Sequence, residues 1–224
     1  MHTQIGILEM FLVTMFHPQD SHCIHVDTKA SSLIHNAVRR IVQCHQHYFP
    51  MANIFMTPRA ISVSWGHASV LDADIICLRE LDRQDKNWKM FINSAGTELP
   101  LLNHFKLRQR LRTDRGRNFL DFSLNVNPER QAIYPKNLSS SSRTPAFPCK
   151  LQILKGTKNV ALTRAHADFH LNHIVAQTFY NWLINTQCPD EHYFSTLGSL
   201  NISKSGNNEY ILEQRFDQER YRHH

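Results

Sequence analysis

The sequence predicts an α/β domain with a mainly parallel central sheet. Short β-favouring runs alternate with stretches of helical apolar spacing, the arrangement that places helices over the faces of a parallel sheet. Hydrophobic residues make up 42% and charged residues 20% of the 224 positions, ordinary globular usage that excludes a wholly disordered chain, a coiled coil or a collagen-like repeat. At this length roughly 70% of the unfolded surface can be buried, so a full core is attainable. In such sheets ligands sit beyond the carboxyl ends of the strands.

The elements follow in order. Ile5 to Phe16, interrupted by Glu9, reads as a buried helix; at about twelve positions it is well short of the roughly 20 a membrane span needs. Ser21 to Asp27 reads as a strand ending in an acid, and Lys29 to Cys44 as a helix carrying Leu33, Ala37, Val38, Ile41 and Val42. Ile61 to Trp65 is expected to be a second strand. Ala68 to Leu81 is expected to be a helix with Leu71, Ile75, Leu78 and Leu81 on one stripe. Trp88 to Asn93 reads as a third strand, and Asn103 can cap a helix reaching about Arg112. Asp121 to Phe147 loses periodicity and carries serines 139 to 142 between prolines, which predicts a long loop. A β-like stretch from Lys150 to Leu162 leads into Arg164 to Ile184, expected to be one amphipathic helix with Phe169, Ile174, Val175, Phe179 and Trp182 on its stripe. Residues 1–200 are thus read as one domain and 201–224 as an irregular basic tail. No internal repeat is evident.

Lysine plus arginine exceed aspartate plus glutamate by 25 − 19 = 6, and fifteen histidines add positive charge in a mildly acidic compartment. That balance attracts polyanions, including nucleic acid, sulfated glycans, anionic membrane and sugar-nucleotide diphosphates. The arginine-dense stretch from Lys106 to Arg117 motivates a nucleic-acid reading, but such stretches also serve as solvated helix faces and no recognised nucleic-acid motif accompanies it. Five cysteines are too few for a disulfide-built mini-protein. The first residues lack the basic start and small-residue cleavage pattern of a secretory signal. Asn137-Leu138-Ser139 and Asn201-Ile202-Ser203 are glycosylation sequons that matter only in a secretory lumen.

Separated motifs occur in one order: Cys23-Ile24-His25-Val26-Asp27, Ser62-Val63-Ser64-Trp65 leading to Ala73-Asp74-Ile75-Ile76-Cys77-Leu78, Trp88-Lys89-Met90-Phe91-Ile92-Asn93 with Gly96 and Pro100-Leu101, and Pro189-Asp190-Glu191-His192-Tyr193. Together they resemble the branching β-1,6-N-acetylglucosaminyltransferases, the core 2 and I-branching enzymes, related to the peptide O-xylosyltransferases. The resemblance runs from about residue 8 to about residue 200. It implies a glycosyltransferase A-type, Rossmann-like fold in a Golgi-lumenal type II membrane protein. It also implies an inverting enzyme that moves N-acetylglucosamine from UDP-GlcNAc to the 6-hydroxyl of a galactose or N-acetylgalactosamine acceptor on O-glycans or related glycans. Relative to the family the chain is expected to be incomplete at both ends, its membrane anchor lying outside it, and a truncated member that binds nucleotide or glycan without turnover is the alternative.

The resemblance assigns roles residue by residue. Glu191 matches the general base, although the residues alone favour reading Asp190 and Glu191 as an acidic pair at a helix start. Asp27 matches an aspartate near the uracil and ribose, and Trp65 an aromatic residue beside the base; the residues alone allow a strand-end turn and a core tryptophan. Asp121 is assigned to the acceptor sugar hydroxyls. Arg215, in Arg215-Phe216-Asp217, is assigned to the diphosphate, with a charged chain end as its other reading. The family pattern implies a disulfide between Cys23 and Cys77 and leaves Cys44 free or mispaired; Cys149 and Cys188 receive no assignment.

The resemblance implies metal-independent chemistry. Asp72-Ala73-Asp74 has the Asp-x-Asp form by which many sugar-nucleotide enzymes hold manganese, but in a helix side chains two positions apart point roughly 200° from each other. His166, His170 and His173 have a helical spacing open to zinc, with a solvated or partly buried histidine face as the simpler reading.

Overall fold

The computed structural model describes residues 4–114, 117–124, 151–204 and 210–214. The chain divides into two compact units, Met1–Trp65 with Ser69–Arg117, and Gly66–Ala68 with Asn118–His224. The fold is α/β, helices alternating with short strands and the first strand pair parallel, as the sequence predicts.

The first unit opens with α1 (Ile5–Met15), which buries Leu8 and Leu12 but leaves Met10 and Val13 exposed, so it covers the core with one face rather than lying inside it. β1 (Ser21–Ile24) pairs in parallel with β2 (Asn53–Met56), Cys23 opposite Phe55. α2 (Ser32–Tyr48) crosses between them. Its start falls three residues later than expected because Asp27 folds the chain into a turn, its Oδ1 accepting from the Lys29 amide at 2.8 Å and its carbonyl from the Ala30 amide at 2.9 Å. Ser31 then caps the helix. Leu8, Leu12, Ile24, Val26, Val38, Val42 and Ile54 form the core of this unit. Leu33 lies at the solvated start of α2 and is exposed.

The expected strand at Ile61 to Trp65 is not one, and β2 takes its place in the sheet. Residues 61–63 instead lie along the loop after β1. The Thr28 amide donates to the Ile61 carbonyl at 3.1 Å, the Ile61 amide to His25 Nε2 at 3.2 Å, and the Val63 amide to Asp27 Oδ2 at 3.3 Å. Side chains thus satisfy the amides that a ladder would otherwise use. α3 (Ser69–Gln84) buries Leu71 and Leu78 as its stripe predicts, and a disulfide joins its Cys77 to Cys23 of β1, Cα to Cα 5.6 Å. β3 (Met90–Ile92) follows. α4 (His104–Thr113) is capped by Asn103, whose Oδ1 accepts from the Lys106 amide at 3.0 Å.

In the second unit residues 118–124 run antiparallel to 151–163, with bridges Phe119 to Ala161 and Ser123 to Lys155. β4 (Ala161–Thr163) leads into α5 (Arg164–Asn172), and α6 (Ile174–Leu183) follows after a break. The single helix expected here is therefore two. His173 leaves the helical conformation, φ −83° and ψ 137°, and caps α6 through its Nδ1, which accepts from the Val175 amide at 3.2 Å. That break resets the phase of the stripe, so Ile174 is exposed while Phe169 and Phe179 are fully buried. α7 (Asp190–Gly198) packs its Tyr193 ring parallel to Phe179, centroids 6.2 Å apart. Within the stretch read as an irregular tail, β5 (Leu200–Lys204) and β6 (Tyr210–Gln214) form an antiparallel hairpin, Ile202 opposite Leu212.

Candidate functional site

In the first unit the two residues assigned to the nucleotide lie on either side of the loop pairing after β1. Asp27 is only 3% exposed. Its carboxylate accepts from the Lys29 and Val63 amides, and Lys29 Nζ stands 3.7 Å from Oδ2 while donating to the Val63 carbonyl at 2.5 Å. Asp27 is thus the staple that fixes the segment leading to Trp65. Trp65 itself is 80% exposed, which excludes the core-tryptophan reading and presents an indole face to solvent. The Ser64 amide before it donates to Ser69 Oγ at 2.9 Å, and Gly66 after it takes φ +76°, a turn that a side chain would strain.

In the second unit Glu191 sits in the first turn of α7. Asp190, His192, Tyr193, Phe194, Ser195, Thr196, Leu197 and Gly198 are all buried, and Glu191 is the one residue of α7 that reaches solvent. The helix is buried because its polar groups are answered inside the unit. His192 Nδ1 bonds the Leu154 carbonyl at 2.9 Å, Thr196 Oγ1 accepts from the Leu154 amide at 2.9 Å, and Tyr193 donates to the His170 carbonyl at 3.2 Å. The turn that starts α7 is made by Cys188, φ +51°, whose carbonyl accepts from the Glu191 amide at 3.0 Å. Lys155 Nζ lies 3.5 Å from Glu191 Oε2.

The two carboxylates of the Pro-Asp-Glu motif are therefore unlike. Asp190 is 8% exposed, its Oδ1 is buried without a hydrogen-bond partner, and burial raises its pKa. Glu191 is the accessible, ion-paired acid at a helix N-terminus, where the dipole favours negative charge.

Asp121 lies in the extended segment between the Phe119 and Ser123 bridges, beside α7. Ser195, one turn beyond Glu191, donates to the Asp121 carbonyl at 3.1 Å, and the Gly156 amide donates to the Glu191 carbonyl at 2.8 Å. Gly156 fits between them only because it lacks a side chain: a Cβ there would stand 1.9 Å from the Asp121 carbonyl oxygen and 2.0 Å from Ser195 Oγ. The Asp121 side chain itself is exposed. Glu191 and Asp121 are thus joined through Gly156 and Ser195 within one unit. Arg215 lies outside the described residues, as do Cys149 and Asn137. Asn201 is an exposed residue of β5.

Other sequence expectations resolve plainly. Asp72 and Asp74 lie within α3, and Asp74 accepts from Asn93 Nδ2 at 3.0 Å, tying α3 to the end of β3. Cys44 is unpaired and exposed, and Cys188 is buried. On α5 His170 is buried and His166 half-buried, and desolvation pushes their pKa values down to about 3 and about 4. Lys155 was not legible beforehand: nothing in the sequence around it marks a lysine that meets a carboxylate 36 positions away (191 − 155). Among the described residues no helix is long and apolar enough to cross a membrane.

A family model described as Core-2/I-Branching enzyme matches residues 1–218. Among individual proteins the chain is similar to N-acetyllactosaminide beta-1,6-N-acetylglucosaminyl-transferase of Homo sapiens, 30% identical over 211 residues that cover 89% of this chain and 51% of the relative. The Mus musculus protein of the same name is 33% identical over 200 residues, 83% of this chain and 48% of the relative. A Danio rerio beta-1,3-galactosyl-O-glycosyl-glycoprotein beta-1,6-N-acetylglucosaminyltransferase 4 is 26% identical over 214 residues, 89% and 48%. The chain spans about half the length of these curated relatives. With the family match running over residues 1–218, this chain belongs to the Core-2/I-branching enzyme family.

Proposed function

We propose that this domain is the core of an inverting glycosyltransferase that moves N-acetylglucosamine from UDP-GlcNAc to the 6-hydroxyl of a galactose or N-acetylgalactosamine acceptor, with Glu191 as general base. The observation that carries the reading is that Glu191 is the one solvent-reaching residue of an otherwise buried helix. A general base must meet the hydroxyl it deprotonates, and of the two adjacent acids only Glu191 can. In the displacement, Glu191 takes the acceptor hydroxyl proton as the oxygen attacks the anomeric carbon. The bond to the diphosphate breaks with its electron pair leaving on UDP, and configuration inverts. Lys155 and the first turn of α7 hold the carboxylate in place, and Asp121 serves the acceptor hydroxyls.

The donor side of the proposal uses the Asp27 staple and the exposed indole of Trp65, which offers a stacking face for uracil. Arg215 is assigned to the leaving diphosphate, so the reaction needs no metal: basic side chains do what magnesium or manganese does elsewhere. The native setting proposed is the Golgi lumen, in a type II membrane protein, and the Cys23 to Cys77 disulfide supports an oxidising compartment.

A second reading is nucleotide or glycan binding without turnover. Calorimetry with UDP and a transfer assay on a β-galactoside acceptor, each repeated in EDTA, separate the two. Transfer that survives EDTA supports the enzyme, binding without transfer selects the second reading, and loss of UDP binding in EDTA restored by manganese rejects metal independence.

A further inference from the structure

The first unit contains a cluster that the proposed transfer does not use. His17 and Asp20, in the turn between α1 and β1, meet His104, the first residue of α4. Each of the three offers a ligand atom, and these atoms all lie within 4.8 Å of one another. The His17 and His104 rings are stacked, centroids 4.5 Å apart and planes 7° apart, and His104 Nε2 is 3.5 Å from Asp20 Oδ2. His104 Nε2 is itself buried. Two imidazoles and one carboxylate are a donor set that suits zinc and its neighbours in the first transition row. Tetrahedral ligation at 2.0–2.1 Å sets donor atoms ~3.3 Å apart, a closure that side-chain rotation alone can supply at partly exposed residues.

The cluster also occupies a place where a cross-link has something to hold. α4 has no fully buried residue, and the apolar face it turns inward, Leu107 and Leu111, is only half-buried. What ties it to the turn before β1 is polar: Arg108, one turn beyond His104, pairs with Asp20 Oδ1. A short helix held by so small an apolar face gains from a metal spanning His17, Asp20 and His104.

We propose that His17, Asp20 and His104 bind one divalent transition metal, zinc by the chemistry of the donors, which clamps α4 to the turn between α1 and β1. Three protein ligands leave a fourth position for water, and the role is structural. Ligation draws on a lone pair of His17, whose Nδ1 now accepts from the Gln19 amide at 3.2 Å. Binding through Nδ1 displaces that amide, and binding through Nε2 moves the ring proton to Nδ1; either route gives up one long hydrogen bond. Arg108 is the competitor, since it neutralises the carboxylate that the metal needs. The site is separate from the proposed metal-independent transfer.

The test is titration of the metal-free full chain with Zn²⁺ and with Co²⁺. One equivalent should bind, Co²⁺ should gain the intensified visible absorption of low-symmetry nitrogen and oxygen ligation, and amide exchange in α4 should slow by about tenfold or more. A variant carrying His17→Gln and His104→Gln should bind at least ~100-fold more weakly and lose the α4 protection. Arg108→Gln should bind more tightly than the native chain. No saturable binding, or unchanged affinity in the double variant, overturns the proposal and assigns any uptake to other histidines. If the double variant does not fold, Arg108→Gln decides alone, because unchanged or weaker binding contradicts competition at Asp20.

Discussion

Gly156→Ala adds one methyl group at the tightest junction of the second unit. The new Cβ would lie 1.9 Å from the Asp121 carbonyl oxygen, 2.0 Å from Ser195 Oγ and 3.0 Å from the Asp121 carbonyl carbon. Ordinary contact begins near 3.4 Å, so relief requires the backbone of Asp121 to move by about 1.5 Å; rotating Ser195 removes only one of the clashes. Asp121 cannot move freely, because the bridges Phe119 to Ala161 and Ser123 to Lys155 flank it. Overpacking of this kind costs about 1–3 kcal/mol, and loss of the Ser195 to Asp121 hydrogen bond adds about 1 kcal/mol. A destabilisation of about 3 kcal/mol lowers Tm by about 6–12 °C in a chain of this size. Differential scanning calorimetry measures it, and amide exchange at Ser123 and Lys155 localises it to the second unit. Adding Ser195→Ala should not rescue the variant, since the Asp121 oxygen remains in the way. A Tm within about 2 °C of the native chain, or full rescue by Ser195→Ala, would refute the packing argument.

Two further outcomes follow from the same geometry. The disulfide between Cys23 and Cys77 closes a separation of 54 residues, and the chain-entropy model gives about 4 kcal/mol for a loop of that length; replacing both cysteines by serine should remove about that much in chemical denaturation, and an unchanged midpoint would contradict the bond. His170, pushed down to about pKa 3 by burial and then by His166, stays neutral in the fold while the unfolded chain takes up its proton below about pH 6.5. Its contribution is therefore whole above pH 6.5 and is lost as pH falls toward 3, about 2 kcal/mol by pH 5, with His166 adding to the same slope. His170→Phe should flatten the fall in stability between pH 6.5 and 4, and an unchanged slope would count against the burial argument.

What the sequence made legible was local. The stripes of Val38 and Val42 and of Leu71 and Leu78 are short-range apolar periods, and Asn103 is a cap that bonds three residues on, so α2, α3 and α4 could be read directly. Ile61 to Trp65 carries the alternation of a strand, but its amides are claimed by His25 and Asp27, partners 36 positions away, and no local pattern records that. Asn53 to Met56 is four residues long and gives too little pattern to mark a strand. The break between α5 and α6 was hidden because its cap is a histidine, outside the usual Ser, Thr, Asp and Asn signals. At the site, the resemblance pointed to Glu191, whereas the difference between Glu191 and Asp190 is burial, which needs the packed helix. Lys155 beside Glu191 and His104 beside Asp20 are products of tertiary approach and had no signal along the chain.

The central claim is that Glu191 is the base, and Glu191→Gln tests it most directly. The substitution keeps the shape and removes the basicity; the ion pair with Lys155 that it gives up is partly exposed and contributes at most about 1 kcal/mol to stability. Transfer from UDP-GlcNAc to a β-galactoside acceptor should fall by ~10² or more in kcat while calorimetric UDP affinity stays within about twofold. Turnover by the glutamine variant equal to that of the native chain would contradict the assignment.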